Sequence, residues 1–124
     1  EKNYAEQNLG CGRRVASGLD WVFARVEEAI VLEDDCLPDA SFFPFCEELL
    51  ERYRGDERVS LIAGCNFQPE GVRRGAGGSY YFSRYLHCWG WASWRRAWTA
   101  HDHDLRAWRD GRAERWLAGR AWAR

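Results

Sequence analysis

Glu33, Asp34 and Asp35 are three consecutive carboxylates at the end of the most strand-like run in the chain, Ala29-Ile30-Val31-Leu32. A short apolar run rich in β-branched residues reads as a buried strand, and adjacent charges do not stay buried without partners, so the chain surfaces at Glu33. Strand ends with clustered acids are where sheet proteins hold divalent metals and phosphorylated ligands. A hard cation such as Mn²⁺ or Mg²⁺ takes oxygen ligands, and one or two protein carboxylates suffice when phosphates and water complete the shell. The short side chains of Asp34 and Asp35 let one turn aim one carboxylate at a metal and the other at a sugar hydroxyl. A metal held there would neutralise charge developing on a leaving diphosphate. The spacing alone is equally compatible with sugar, nucleotidyl or phosphoryl transfer, and with a solvated acidic turn.

Other residues carry weaker signals. His101-Asp102-His103-Asp104 has metal-ligand residue types, but alternating side chains face opposite ways on a strand and diverge on a helix, which favours a solvated loop or cap. Asp104 is kept as a weak candidate general base. Arg13 and Arg14 follow a glycine loop at a helix start and could touch phosphate, though arginine in a first turn is ordinary. Cysteines 11, 36, 46, 65 and 88 form no CxxC pair, and apart from His87 next to Cys88 no histidine lies near Cys11, Cys36 or Cys88 in sequence to suggest a nucleophilic dyad. They read as small, partly buried thiols in a reducing compartment rather than a disulfide frame or zinc knuckle.

The elements that must position these residues follow from periodicity. Val15, Leu19, Val22, Phe23 and Val26 predict a helix over Arg13 to Val26, after the loop Asn8 to Gly12. The strand Ala29 to Leu32 comes next, and Pro38 closes the acidic turn. Ser41 is a plausible N-cap for a helix from Phe42 to about Arg54, with Pro44 harmless in its first turn and Phe42, Phe45, Cys46, Leu49 and Tyr53 as its buried stripe. Val59 to Ala63 predicts a second core strand. Helix, strand, helix, strand favours an α/β layer architecture with a mainly parallel sheet. Residues 68 to 79 contain four glycines and a proline and read as a loop, and Tyr80 to Tyr85 as a short aromatic strand. Trp91, Trp94 and Trp98 fall at helical spacing, a pattern that usually marks core packing. Trp89 and Trp91 flank Gly90 and stay as site candidates.

Length and composition bound the class. The 124 residues suffice for a single domain over 1–124, with 46% hydrophobic and 30% charged content typical of a soluble globular chain. No apolar run approaches the roughly 20 residues that span a bilayer, which sets the expectation of a cytoplasmic or membrane-peripheral location with no transmembrane segment. The net charge of −1 hides a segregation: residues 1 to 70 carry 7 basic and 15 acidic groups, and residues 71 to 124 carry 11 and 4. Such halves can make a cleft where metal and anionic ligand meet. The basic residues are scattered among tryptophans rather than massed in one run, so no nucleic-acid partner is expected. The polar opening and the absence of any methionine suggest a segment of a longer chain.

Three stretches, NLGCGRRVASGLDWVF, AIVLEDDCLPDASFFPFCEELLERYRGDERVSLIAGCNF and SYYFSRYLHCWGWASWRRAW, cover most of residues 8 to 98. Together they resemble the middle of a bacterial glycosyltransferase family that includes hemolytic-protein-like members and is similar to the N-acetylglucosaminyltransferase I group. The resemblance implies a GT-A fold, a layered α/β/α nucleotide-diphospho-sugar transferase architecture incomplete in this chain. Its first βαβ nucleotide-binding part and its C-terminal part would lie outside. It implies transfer of a sugar from a nucleotide-diphosphate donor to a glycan or other hydroxyl acceptor, with Mn²⁺ or Mg²⁺ as cofactor. Asp35 would ligate the metal, Glu33 and Asp34 would face the donor, and the loop Cys88-Trp89-Gly90-Trp91 would lie beside donor sugar and acceptor. The base of inverting members sits in a Trp-Asp-rich stretch that has no counterpart here, so it is expected beyond Arg124. Two rivals remain: a carbohydrate-binding or interaction module without catalysis, and a metal-dependent nucleotidyl or phosphoryl transferase. The latter lacks a P-loop or GxGxxG.

Overall fold

The computed structural model describes residues 1–69, 71 and 78–112. Among them, helices α1 (Cys11–Phe23), α2 (Phe42–Arg52), α3 (Arg95–Thr99) and α4 (Arg106–Arg109) accompany strands β1 (Glu28–Val31), β2 (Ile62–Ala63) and β3 (Trp91–Trp94). The chain is therefore mixed α and β, as its patterning predicts. The first four elements follow the expected order of helix, strand, helix, strand.

The expected parallel sheet is corrected. β3 lies between β1 and β2 and runs antiparallel to both, with Val31 opposite Trp91, Ile30 opposite Ala92, and Ile62 also opposite Ala92. β1 and β2 do run the same way, which fits the α2 crossover between them. They do not pair, because a strand from much later in the chain is inserted between them. That strand is Trp91 to Trp94, where the tryptophan spacing predicts helix; the helix starts only at Arg95. This segment pairs along its whole length with β1 and, at Trp91 and Ala92, with β2 as well, and that backbone pairing outweighs a side-chain period of three and four.

Period-two alternation then sorts β3. Ala92 and Trp94 are buried and join Phe42, Cys46, Leu49, Leu50 and Ile62 in the main core, so α2 packs on this face. Trp94 Nε1 donates to the Leu50 carbonyl at 3.2 Å, which satisfies the one polar atom of a side chain only 2% exposed. Ser93 faces the other way and donates to the Ser60 carbonyl at 2.7 Å. Val59 to Leu61 stays outside the ladder, so the second strand is shorter than its apolar run suggests.

Helix α1 starts two residues before Arg13 and ends three before Val26, burying Leu19 and Phe23. Phe23 stacks on Trp98 with centroids 6.1 Å apart, tying α1 to α3. Ser41 holds the N-cap position of α2 without capping by its side chain. Its N–H and hydroxyl donate instead to Asp39 Oδ1, at 2.9 and 2.7 Å, in a turn that delivers the chain into the helix. Tyr80 to Tyr85 forms no strand: Tyr80 packs its ring on Phe45 in the first turn of α2 and on Tyr53 at its C-cap, and Phe82 leans on Tyr53 and Tyr80. Ring packing on a helix replaces ladder pairing there. Of the glycine-rich loop, residues 70 and 72–77 lie outside the described residues. No helix among the described residues is long and apolar enough to cross a membrane.

Candidate functional site

The chain leaves β1 at Leu32, and the Cys36 N–H donates to the Glu33 carbonyl at 3.1 Å, closing the acidic turn. Because Val31 pairs with Trp91, this turn emerges at the same sheet end as Gly90 and Trp89. A second tie fixes the loop from the other side: the Gly64 N–H donates to the Gly90 carbonyl at 2.8 Å. Gly90 has φ of 73°, a left-handed conformation that suits glycine, and a Cβ there would meet Leu32 and Phe42 at 3.4 and 3.5 Å. Gly64 is tighter still, since its Cβ would come within 2.5 Å of the Phe42 ring. Two close backbone approaches against one phenylalanine thus hold the acid turn, the α2 start and the Gly-Trp loop together.

These parts line one cleft of about 760 Å³. Its lining includes Asp35 and, more than fifty positions later in the chain, Trp89 and Gly90, three of the residues singled out from sequence. Glu33 and Asp34 are exposed in the same turn but do not line it. Trp91 does not line it either, because alternation along β3 points it away from the face carrying Ala92 and Trp94. Asp104 is exposed and outside the cleft, and its neighbour His103 lies 3.8 Å from Asp20 of α1.

Sequence reasoning missed how far the cleft extends. It follows the α2 stripe Phe42, Phe45, Leu49 and Tyr53, and its facing wall is the segment from Ser79 to His87. The stripe was legible, but helical spacing assigns it to core; only the position of the facing segment turns half of it into a wall. Asp39 is a second carboxylate in the lining. The Ser41 backbone N–H, with help from its hydroxyl, holds that carboxyl below the usual range, so Asp39 stays charged and is a weak base.

The donor set fits a hard cation only in a particular way. Among the described residues no three His, Cys, Asp or Glu side chains form a metal cage. Asp35 presents one carboxylate whose Oδ1 accepts a weak bond from the Cys36 thiol at 3.8 Å. One carboxylate suits a cation that takes its remaining ligands from phosphates and water. No lysine or arginine appears in the described lining.

Among the described residues, Arg14, Arg95 and Arg96 serve away from the acid turn. Arg96 donates to the carbonyls of Arg54, Tyr53 and Val59 at 2.9 to 3.0 Å and lies over the Trp94 ring. Arg95 pairs with Glu27, and Arg14 is bound by Asn3. The His-Asp run is a packing feature: His101 stacks on Trp98 at 4.8 Å, His103 meets the same ring edge-on, and Trp98 Nε1 donates to Asp20 at 2.8 Å. All five cysteines are free; Cys46 alone is fully buried, while Cys11 and Cys88 are exposed, against the expectation of burial. Comparison with protein-family models, curated proteins and solved structures finds no match to this chain.

Proposed function

We propose that this chain carries the donor-metal part of a GT-A-type glycosyltransferase, which moves a sugar from a nucleotide-diphosphate donor to an acceptor hydroxyl. One observation carries the reading: Asp35 and the Trp89-Gly90 loop share a cleft, at the end of the strand that leads into the acids. A divalent cation on Asp35 would supply Lewis-acid stabilisation to the departing diphosphate. Asp35 would hold that ion, Trp89 offers a half-exposed ring against which a sugar can rest, and Gly90 lets the backbone approach closely. Glu33 and Asp34 would act from the rim, on the nucleoside and sugar portions.

The aromatic wall also favours a second reading, a carbohydrate-binding module in which the acids are structural. Titration calorimetry separates the two. The transferase reading expects a nucleoside diphosphate to bind at least tenfold tighter with Mn²⁺ than with EDTA, and Asp35→Ala to abolish that difference. Equal binding in metal and chelator, or an unchanged Asp35→Ala variant, would sink it.

A further inference from the structure

The far end of the cleft holds a polar device that no donor-binding role uses. Tyr53 and Tyr80 both line it, and their hydroxyls share a hydrogen bond of 2.6 Å. Arg52 donates to the Tyr80 oxygen at 3.2 Å from outside the lining. Two phenols carry two hydroxyl hydrogens, and their mutual bond consumes one. Whichever donates, the second hydrogen has no partner among these three side chains. Lone-pair capacity also remains on the Tyr53 oxygen. The pair thus offers one donor and one acceptor side by side.

Aromatic rings surround this pair. Phe82 meets Tyr53 and Tyr80 edge-on, at 5.6 and 6.0 Å, and Phe45 meets Tyr80 at 6.5 Å. Phe82 is 68% exposed, so its ring is available to a ligand. Tyr53 is the C-cap of α2 while Phe42 opens that helix beside Gly64 and Gly90. Eleven residues of helix separate the two ends by about 16 Å at 1.5 Å per residue. Tyr53 is therefore one helix length from Phe42, and Tyr80 packs on Phe45 between them.

We infer that this end is a carbohydrate subsite, where the Tyr53–Tyr80 hydroxyls bond the hydroxyls of a neutral pyranose held against the neighbouring rings. Adjacent sugar hydroxyls each donate and accept, matching the pair, and a sugar's C–H face suits an aromatic wall. An acyl chain would strand the spare hydroxyl hydrogen, and Arg52, the cation beside the pair, is already engaged by Glu48 at 2.5 Å, which favours a neutral group over an anionic one. That this glycan is the acceptor rests on the transferase reading.

A panel of neutral and acidic oligosaccharides, screened on the full chain by saturation-transfer NMR and quantified by calorimetry, tests the subsite. The expected result is binding of neutral members, weakened about three- to tenfold in Tyr80→Phe and in Tyr53→Phe, the effect of one lost hydrogen bond. Thermal melts verify that both variants fold; if one does not, Phe82→Ala, which loses an exposed ring, provides the same readout. Nucleoside diphosphate binding with Mn²⁺ is measured in parallel. No binding by any panel member, preference for acidic members, or wild-type affinity in the folded variants overturns the subsite and leaves the transferase reading standing. Glycan binding without metal-dependent nucleotide binding keeps the subsite and removes the transferase.

Discussion

Replacing Gly64 by alanine tests the packing that holds the cleft together. The added methyl would lie 2.5 and 2.8 Å from two atoms of the Phe42 ring and 3.0 Å from the Gly90 carbonyl oxygen. Relief requires movement of about an ångström, and neither neighbour moves freely. Phe42 is 8% exposed within the main core, and the Gly90 carbonyl accepts the Gly64 N–H. Overpacking of this kind costs about 1–3 kcal/mol, and the upper half of that range is expected because one obstacle is backbone. For a domain of this size, 2 kcal/mol corresponds to a fall in Tm of roughly 6–12 °C. Gly55→Ala is the control, since a Cβ there meets nothing within 4 Å; it should be neutral or stabilising by up to about 1 kcal/mol. Urea unfolding followed by tryptophan fluorescence measures both variants. Gly64→Ala within about 0.3 kcal/mol of wild type, with an unchanged slope, would refute the account of how Gly64, Phe42 and Gly90 interlock. Because the same contact fixes the loop beside Asp35, Gly64→Ala should also weaken any metal-dependent nucleotide binding more than its stability loss alone explains.

Thiol chemistry should follow burial. Desolvation pushes the Cys46 thiol up to about 11, so a disulfide reagent at pH 8 should label Cys11 and Cys88 within minutes and Cys46 only on unfolding; mass spectrometry identifies the sites. Arg58 holds Asp56 at about 2 through its side-chain hydrogen bonds and its backbone N–H. A depressed folded pKa stabilises above the unfolded value of about 3.9, and that contribution fades as pH falls through 2. Carbon-detected NMR titration should therefore find the Asp56 carboxyl moving up toward ordinary values in Arg58→Ala. No movement would show that the backbone N–H, rather than the guanidinium, dominates.

The acid turn and the helix after it are legible because their signals are local. A β-branched run ending in charges, a proline, and an apolar stripe at helical spacing each act over one or two turns of chain, and β1 and α2 fall within a few residues of expectation. The Trp91 to Trp94 strand is misread because tryptophan spacing is the same evidence for a helix face or for a strand followed by a helix. Ser41 likewise has cap chemistry, yet Asp39 two residues earlier takes its hydrogens. The arginines of the basic half are legible as charge but not as partners, since Arg96 is committed to three backbone carbonyls.

By itself the sequence determined that Glu33 to Asp35 must surface at a strand end, that an amphipathic helix must follow, and that Gly90 stands between two tryptophans. Tertiary structure alone decided that β3 enters between β1 and β2, and this one insertion fixed the rest. It reversed the expected strand pairing, turned Trp91 away, and brought Trp89 and Gly90 to the cleft that Asp35 lines. Strand partners far apart in sequence are chosen by which faces bury together, and no window of a dozen residues contains that information.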